Sequence, residues 1–224
     1  MVAASAPADL IFQHGAETSS RFNAQSSGSL GDGFAPATTQ IFTNALFQSD
    51  ATSAHIDSLT FGIRRLTGAP EVNIRFYAGL MDTNGDLVSS SVLDLGAQTL
   101  TALAGSSITQ AVTLSNLDLS LALTDLAGSG NPGYVGLWFG LAFEGPNATS
   151  NLNGWRITNT PAVGSAFNFF YANDPVGGGS AGYQFAEPTP SYFYLDVNGT
   201  LVPAPGAFAL LGAAGAIGAR RRRS

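Results

Sequence analysis

The chain of 224 residues has no lysine and no cysteine, and its only glutamates are Glu17, Glu71, Glu144 and Glu187. Without cysteine, a disulfide scaffold and a Cys-ligated zinc site are both excluded. Charged residues make up 11% of the chain, against roughly 25% in an average soluble domain. With no Lys and little Glu, surface α-helices lack their usual material. The nine Arg against fifteen acids give a net charge of −6. Four of those Arg are the terminal run Arg220, Arg221, Arg222 and Arg223, so the rest of the chain carries 5 − 15 = −10. A nucleic-acid-binding domain needs a spread basic face, and none is present, so no nucleic-acid partner is expected. Composition argues against disorder, because 45% hydrophobic and 10% aromatic residues suffice for a core.

What the chain does have is alternation. Val72, Ile74, Phe76 and Ala78 alternate with Asn73, Arg75, Tyr77 and Gly79. Asp82-Thr83-Asn84-Gly85 follows, then Leu87 to Leu95, which is a hairpin signal. Val135, Leu137, Phe139, Leu141 and Phe143 alternate with Tyr134, Gly136, Trp138, Gly140 and Ala142, and Phe193, Leu195 and Val197 with Tyr192, Tyr194, Asp196 and Asn198. Further strands are expected at 9–13, 40–47, 55–66, 107–114, 154–158 and 167–171. Leucines 117, 119, 121 and 123 have strand period, while 114, 117 and 121 have helix spacing; strand is favoured there. About ten short strands without a βαβ rhythm predict an all-β, antiparallel sandwich.

Both ends depart from this pattern. From Leu201 to Ala219 no residue is charged or polar. Pro205 and Gly206 oppose a helix before 206. Residues 206–219 would make a helix of about 21 Å, short of the roughly 30 Å hydrocarbon core. The Arg run then stops the segment on the cytoplasmic side. A buried C-terminal helix is the alternative, and four terminal Arg suit it poorly. At the other end, Ala4-Ser5-Ala6 fits a small-x-small cleavage site with no basic or apolar stretch before it. Residues 1–8 are therefore expected to be the remnant of a signal peptide that starts upstream.

Val202-Pro203-Ala204-Pro205, a Gly/Ala/Leu helix and a terminal Arg run together resemble a PEP-CTERM sorting signal. The resemblance covers about the last two dozen residues, and Ala204 stands where the family usually has Glu. It implies export, a membrane-spanning C-terminal helix, and processing by an exosortase in a bacterium that makes extracellular polysaccharide. The expected organisation is a leader remnant 1–8, an ectodomain 9–200 and a sorting signal 201–224. The body resembles the jelly-roll ectodomains often carried in front of such signals. This implies a non-catalytic cell-surface or extracellular-matrix protein with polysaccharide as a partner.

The candidate sites divide into weak motifs and one surface feature. Gly178-Gly179-Ser180-Ala181-Gly182 matches the G-x-S-x-G elbow, and Gly177, Gly179 and Gly182 match G-x-G-x-x-G, but no helix follows either. A flexible Gly-rich loop is expected instead. His14 and His55 are the only histidines, and neither has a His, Asp or Glu at metal-ligand spacing that forms a recognised pattern. Asp82, Asn84 and Asp86 begin like a calcium loop, but Leu87 and Leu93 occupy its sixth and twelfth places. No cofactor is expected; jelly-roll modules of this look often carry a structural calcium, which no residue here locates. The surface feature is aromatic. Trp138 stands between Gly136 and Gly140 on the non-core side of its strand, Tyr192 and Tyr194 share the non-core side of theirs, and so do Arg75 and Tyr77. These five are the candidate glycan platform; covering of Trp138 by a loop or second layer is the alternative. A secreted hydrolase acting on polysaccharide or ester bonds is the second functional reading. It requires His14 or His55 joined to acids, or two acids facing each other across a cleft.

Overall fold

Alternating residues become a sandwich when two sheets share the apolar half of each alternation. The computed structural model describes residues 9–23, 40–148, 150–174, 179–184 and 191–203, and these form thirteen strands. They are β1 (Asp9–Gln13), β2 (Glu17–Asn23), β3 (Gln40–Gln48), β4 (Ala51–Arg65), β5 (Val72–Leu80), β6 (Leu93–Leu100), β7 (Ile108–Ala122), β8 (Tyr134–Glu144), β9 (Asn153–Thr158), β10 (Phe169–Asp174), β11 (Gly179–Gln184), β12 (Tyr192–Phe193) and β13 (Leu195–Pro203). Two short 3-10 turns, Ser89–Ser91 and Ala127–Ser129, lie between them.

Sheet I centres on β4. One of its edges pairs with β7, and the other with β13 and then β9. β1 adds to β13, while β2 and β12 add to β9. Sheet II runs β11-β10-β3-β8-β5-β6. Every one of these pairings is antiparallel. The inner residues of β5 and β8 meet those of β4, β9 and β13 in one core. Phe61 and Phe76 join the two sheets at 4.8 Å between ring centroids, and Trp155 stacks on Phe193 at 4.3 Å.

One end of the core is closed by a guanidinium with no acid partner among the described residues. Arg65 is buried and donates from Nε to Asn153 Oδ1 (3.0 Å). Its Nη1 donates to the Thr101 carbonyl (2.7 Å) and to Gln110 Oε1 (3.2 Å), and its Nη2 to the Pro70 carbonyl (2.9 Å). Burial lowers its pKa.

Several expected boundaries move. The Asn84-Gly85 turn closes as expected, with Gly85 N–H donating to the Asp82 carbonyl and φ +88° at Gly85. The returning strand starts at Leu93 rather than Leu87, because the 3-10 turn Ser89–Ser91 intervenes. Strand 107–114 and the ambiguous segment after it form one strand, β7, ending at Ala122. β2 escapes the alternation pattern, since Phe22 is its only large apolar residue. The expected flexible loop at 178–182 is corrected: Gly179–Gln184 pairs with β10 as an edge strand. β13 carries the sheet through Pro203, past the expected end of the ectodomain at 200. No helix among the described residues is long and apolar enough to cross a membrane. Residues 1–8, 206–219, Ala204, Pro205 and Arg220 to Arg223 lie outside the described residues.

Candidate functional site

The five platform residues fall on opposite sides of the sandwich. Arg75, Tyr77 and Trp138 are on the outer side of sheet II, and Tyr192 and Tyr194 on that of sheet I, as their inward neighbours Phe76, Leu137, Phe139, Phe193 and Leu195 require.

The sheet II side is closed. Trp138 is fully buried in a second core with Phe42, Leu46, Tyr77, Met81, Leu87 and Leu126. Its Nε1 donates to the Gly85 carbonyl at 3.2 Å, and Tyr171 and Phe169 pack on it at 5.0 and 5.6 Å. The buried Asn44 straps the covering segment down, donating from Nδ2 to the carbonyls of Phe167 (3.2 Å) and Phe169 (2.9 Å). The expectation of an open ring between bare glycines is therefore corrected. The glycines make room for neighbours: a Cβ at Gly140 would lie 2.6 Å from Phe42 Cδ1, and one at Gly136 2.7 Å from Leu46 Cδ2 and Met81 Sδ. Tyr77 is buried, which raises its pKa. Arg75 is half-exposed and taken up by Glu144 (2.7 Å) and Asp94 (2.8 Å), whose hydrogen bonds and charges raise its pKa.

The calcium-like segment sits on this side as a closed turn. Asp82 Oδ1 accepts the N–H groups of Asn84 (2.8 Å) and Asp86 (3.0 Å), and Asp86 Oδ1 accepts the Tyr171 hydroxyl at 2.6 Å. Burial, and then this bond to Asp86, raise the Tyr171 pKa. Among the described residues no group of three or more His, Asp or Glu is arranged to hold a metal ion.

The outer side of sheet I is polar. Tyr194 lies across Gly62, where any Cβ would collide with its ring. The His14 ring stacks on Tyr194 at 3.5 Å, and His14 Nδ1 lies 2.6 Å from Asp196 Oδ1. Tyr192 is buried. Neither tyrosine thus offers a free ring face, which corrects the platform reading for this pair as well. Burial raises both pKa values, with Asp196 and Glu17 adding to the effect at Tyr194.

Beside Tyr194 stands a cluster that the sequence reading missed. β4 presents Arg64 outward, β9 presents Arg156, and β2 pairs Arg21 directly with Arg156. Arg156 is only 8% exposed. Its Nε is 3.2 Å from Glu17 Oε2, which also accepts the Thr109 hydroxyl at 2.8 Å. Arg156 Nε and Nη1 and Arg21 Nε are buried without a hydrogen-bond partner among the described residues. Burial and then the charge of Arg64 lower the Arg21 pKa; at Arg156 burial lowers it, Glu17 opposes, and Arg64 adds to the lowering. Strand parity could have placed Arg64 and Arg156 outward, since Ile63 and Trp155 face the core. The β4–β9 and β2–β9 registers that bring the three together were not readable.

The hydrolase reading's two histidines each meet an acid. His14 has Asp196, and among the described residues no hydroxyl approaches its other nitrogen. His55 Nδ1 is 3.2 Å from Ser120 Oγ, and its Nε2 is 3.5 Å from Asp57 and 3.7 Å from Asp118. This group is exposed to water on the outside of β4 and β7, and its acid contacts are too long for hydrogen bonds. The G-x-S-x-G match fails on structure, because Ser180 lies within an edge strand rather than in a strand-to-helix elbow.

No family model and no curated protein matches the chain. Among solved structures it is similar to the cysteine protease and lectin-like domains of Cwp84, a surface layer associated protein of Clostridium difficile. That likeness has 13% identity and a TM-score of 0.44 over 72% of this chain and 32% of the other. It is also similar to the structure of infectious bursal disease virus, Gt strain, at 12% identity and a TM-score of 0.31 over 89% of this chain and 43% of the other. The chain thus matches less than half the length of either, and at these scores neither likeness says what it binds.

Proposed function

We propose that the chain is an exported, non-catalytic surface or extracellular-matrix protein of a polysaccharide-producing bacterium. Its sandwich is read as a jelly roll, which the chain's repeated crossing between sheets supports: β3, β5, β8 and β10 lie in sheet II, and β4, β7 and β9 in sheet I. Segment 206–219 tethers it to the membrane, Arg220 to Arg223 halt that segment, and an exosortase acts at Val202, Pro203, Ala204 and Pro205. The extracellular polysaccharide is met on the outer side of sheet I, which stays polar while the other outer side is sealed.

The observation that carries this reading is the end of β13. The last strand pairs with β4 through Pro203, opposite Ala51, with register shifts at Asn198/Gly199 and Val202/Pro203, so the first two residues of the proposed sorting motif, Val202 and Pro203, are held in the sheet. A processing enzyme then meets Ala204 and Pro205 directly beyond an anchored strand.

The experiment is expression in an exosortase-bearing Gram-negative host, followed by fractionation and intact-mass measurement. The full chain is expected at the surface or in the matrix with its tail removed. Deleting Arg220 to Arg223, or replacing Pro203 and Pro205 by Ala, is expected to hold it in the membrane at full mass. Identical fractions and masses for all forms overturn the reading. Release of sugar or acid from polysaccharide or ester substrates, lost on His55→Ala, is the outcome that favours a hydrolase.

A further inference from the structure

The body outside the terminal run has five arginines, and two of them have structural work. Arg65 closes the core through hydrogen bonds to Asn153, Gln110 and backbone carbonyls, and Arg75 joins Glu144 to Asp94. The other three, Arg21, Arg64 and Arg156, converge on the outer side of sheet I. Like charges held together raise the energy of the fold unless something offsets them. The chain has fifteen acids, and among the described residues Glu17 alone is in contact with the cluster. Glu17 is committed to Arg156 and Thr109.

Arg64 has no hydrogen bond or ion pair among the described residues. Arg21 spends Nη2 on the Asn151 carbonyl at 2.8 Å and leaves its buried Nε without a partner. Arg156 lies beneath them, buried and incompletely bonded. Burial first, and then the charge of Arg64, lower the pKa values of Arg21 and Arg156, with Glu17 opposing at Arg156. Gly62 and Gly154 lie beside Arg64 and Arg156 and admit close neighbours: the Tyr194 ring lies over Gly62, and the Phe22 carbonyl and the Arg21 side chain lie over Gly154. The arrangement is a partly exposed cationic pair beside a buried third charge, three guanidinium groups against the single carboxylate of Glu17 among the described residues.

We infer that Arg21, Arg64 and Arg156 form an oxyanion site for a carboxylate-bearing polysaccharide, a uronate unit docking on Arg64 and Arg21 above Arg156. Guanidinium groups fit carboxylates through paired N–H donors, and such charge-assisted bonds are the stronger class. The surrounding −10 of the body sharpens the choice. Loose polyanion association is repelled, and only a ligand seated in the local positive field gains from it. This rests on the polysaccharide reading above and assigns that reading its chemical class. A sulfate ester shares the oxyanion chemistry, and the test separates the two.

The test is calorimetric titration of the full chain, at low and at physiological salt, with oligogalacturonate, a neutral oligogalactan of equal length and dextran sulfate. The uronate is expected to bind about tenfold or more tightly than the neutral oligomer, and more weakly as salt rises. Arg64→Gln is expected to lose about tenfold of that affinity with an unchanged melting midpoint, since Arg64 holds nothing in the fold. Arg75→Gln, on the other sheet, is expected to bind as the wild type does. Equal affinity for uronate and neutral oligomers overturns the inference and leaves the polysaccharide reading standing. Equal behaviour of the two Arg variants overturns it as well. Binding of dextran sulfate alone overturns the carboxylate assignment in favour of a sulfate ester. Failure of all three glycans to bind removes the polysaccharide reading together with the site.

Discussion

The two sheets offer outward-facing residues in the same alternating way, yet their outer sides end differently. On sheet II the outward positions hold Phe42, Leu46, Tyr77 and Trp138, and the covering turns fold down on them to make a second core. On sheet I they hold Thr60, Thr113, Gly62, Arg64, Thr109, Gly154 and Arg156 together with Tyr192 and Tyr194, and no comparable apolar cluster forms there among the described residues. The difference follows from transfer energies. A row of large rings left in water costs roughly 25 cal/mol per Å² of apolar surface, so a nearby loop closes over it. A row of Thr and Arg has no such drive, and apart from the buried Arg156 it stays available for polar contact. A residue pointing away from the main core is therefore not thereby exposed.

The largest expected effect breaks the closed side. Trp138→Ala removes a fully buried indole and its bond to the Gly85 carbonyl, and is expected to cost about 3–5 kcal/mol in urea unfolding. The protein that remains folded is expected to bind glycan normally; a selective loss of binding at full stability would move the contact surface to sheet II. Gly140→Ala places a Cβ 2.6 Å from Phe42 Cδ1 and 2.8 Å from the Ile41 carbonyl. An overpacking cost of about 1–3 kcal/mol is expected in the same assay. Arg65→Met leaves the buried Asn153 Oδ1 and the part-buried carbonyls of Thr101 and Pro70 without their donor. A loss of about 1–3 kcal/mol is expected, and a neutral result would show that these carbonyls find water.

Alkaline pH probes both sides together. Tyr77, Tyr171, Tyr192 and Tyr194 all have pKa values raised by burial. A raised folded-state pKa means that the folded state holds its proton longer than the unfolded state. The stability it contributes is complete below the unfolded value near 10 and is lost as pH rises through the folded values. Melting midpoints should therefore be insensitive to these groups below about pH 10 and fall above it. Tyrosinate absorbance that develops fully at the ordinary value would contradict this. The smallest effect is expected at Arg75→Gln, whose ion pairs are solvent-exposed, with an unfolding midpoint indistinguishable from the wild type.

The sandwich was readable because β5 and β8 alternate without a break, so Ile74, Phe76, Leu137 and Phe139 had to face one core. β2 and β11 were not readable. One carries mostly polar residues and the other mostly small ones, and both are ordered by pairing with β9 and β10 rather than by burial pattern. The covering of Trp138 depends on where residues 82–87 and 167–169 fold, which is a long-range outcome. Gly136 and Gly140 carried the right information with the opposite meaning: they admit Leu46, Met81 and Phe42 rather than a ligand. The arginine cluster is also a product of register. Residues 21, 64 and 156 are distant in sequence, and only the β2–β9–β4 order brings their charges together.

The most direct test of the account is hydrogen-exchange protection of the full chain with and without oligogalacturonate. Slower exchange is expected in peptides covering β2, the second half of β4 and β9, with no change across residues 134–144. Protection confined to β8 and the turns that cover Trp138, with none at Arg21, Arg64 and Arg156, would contradict it.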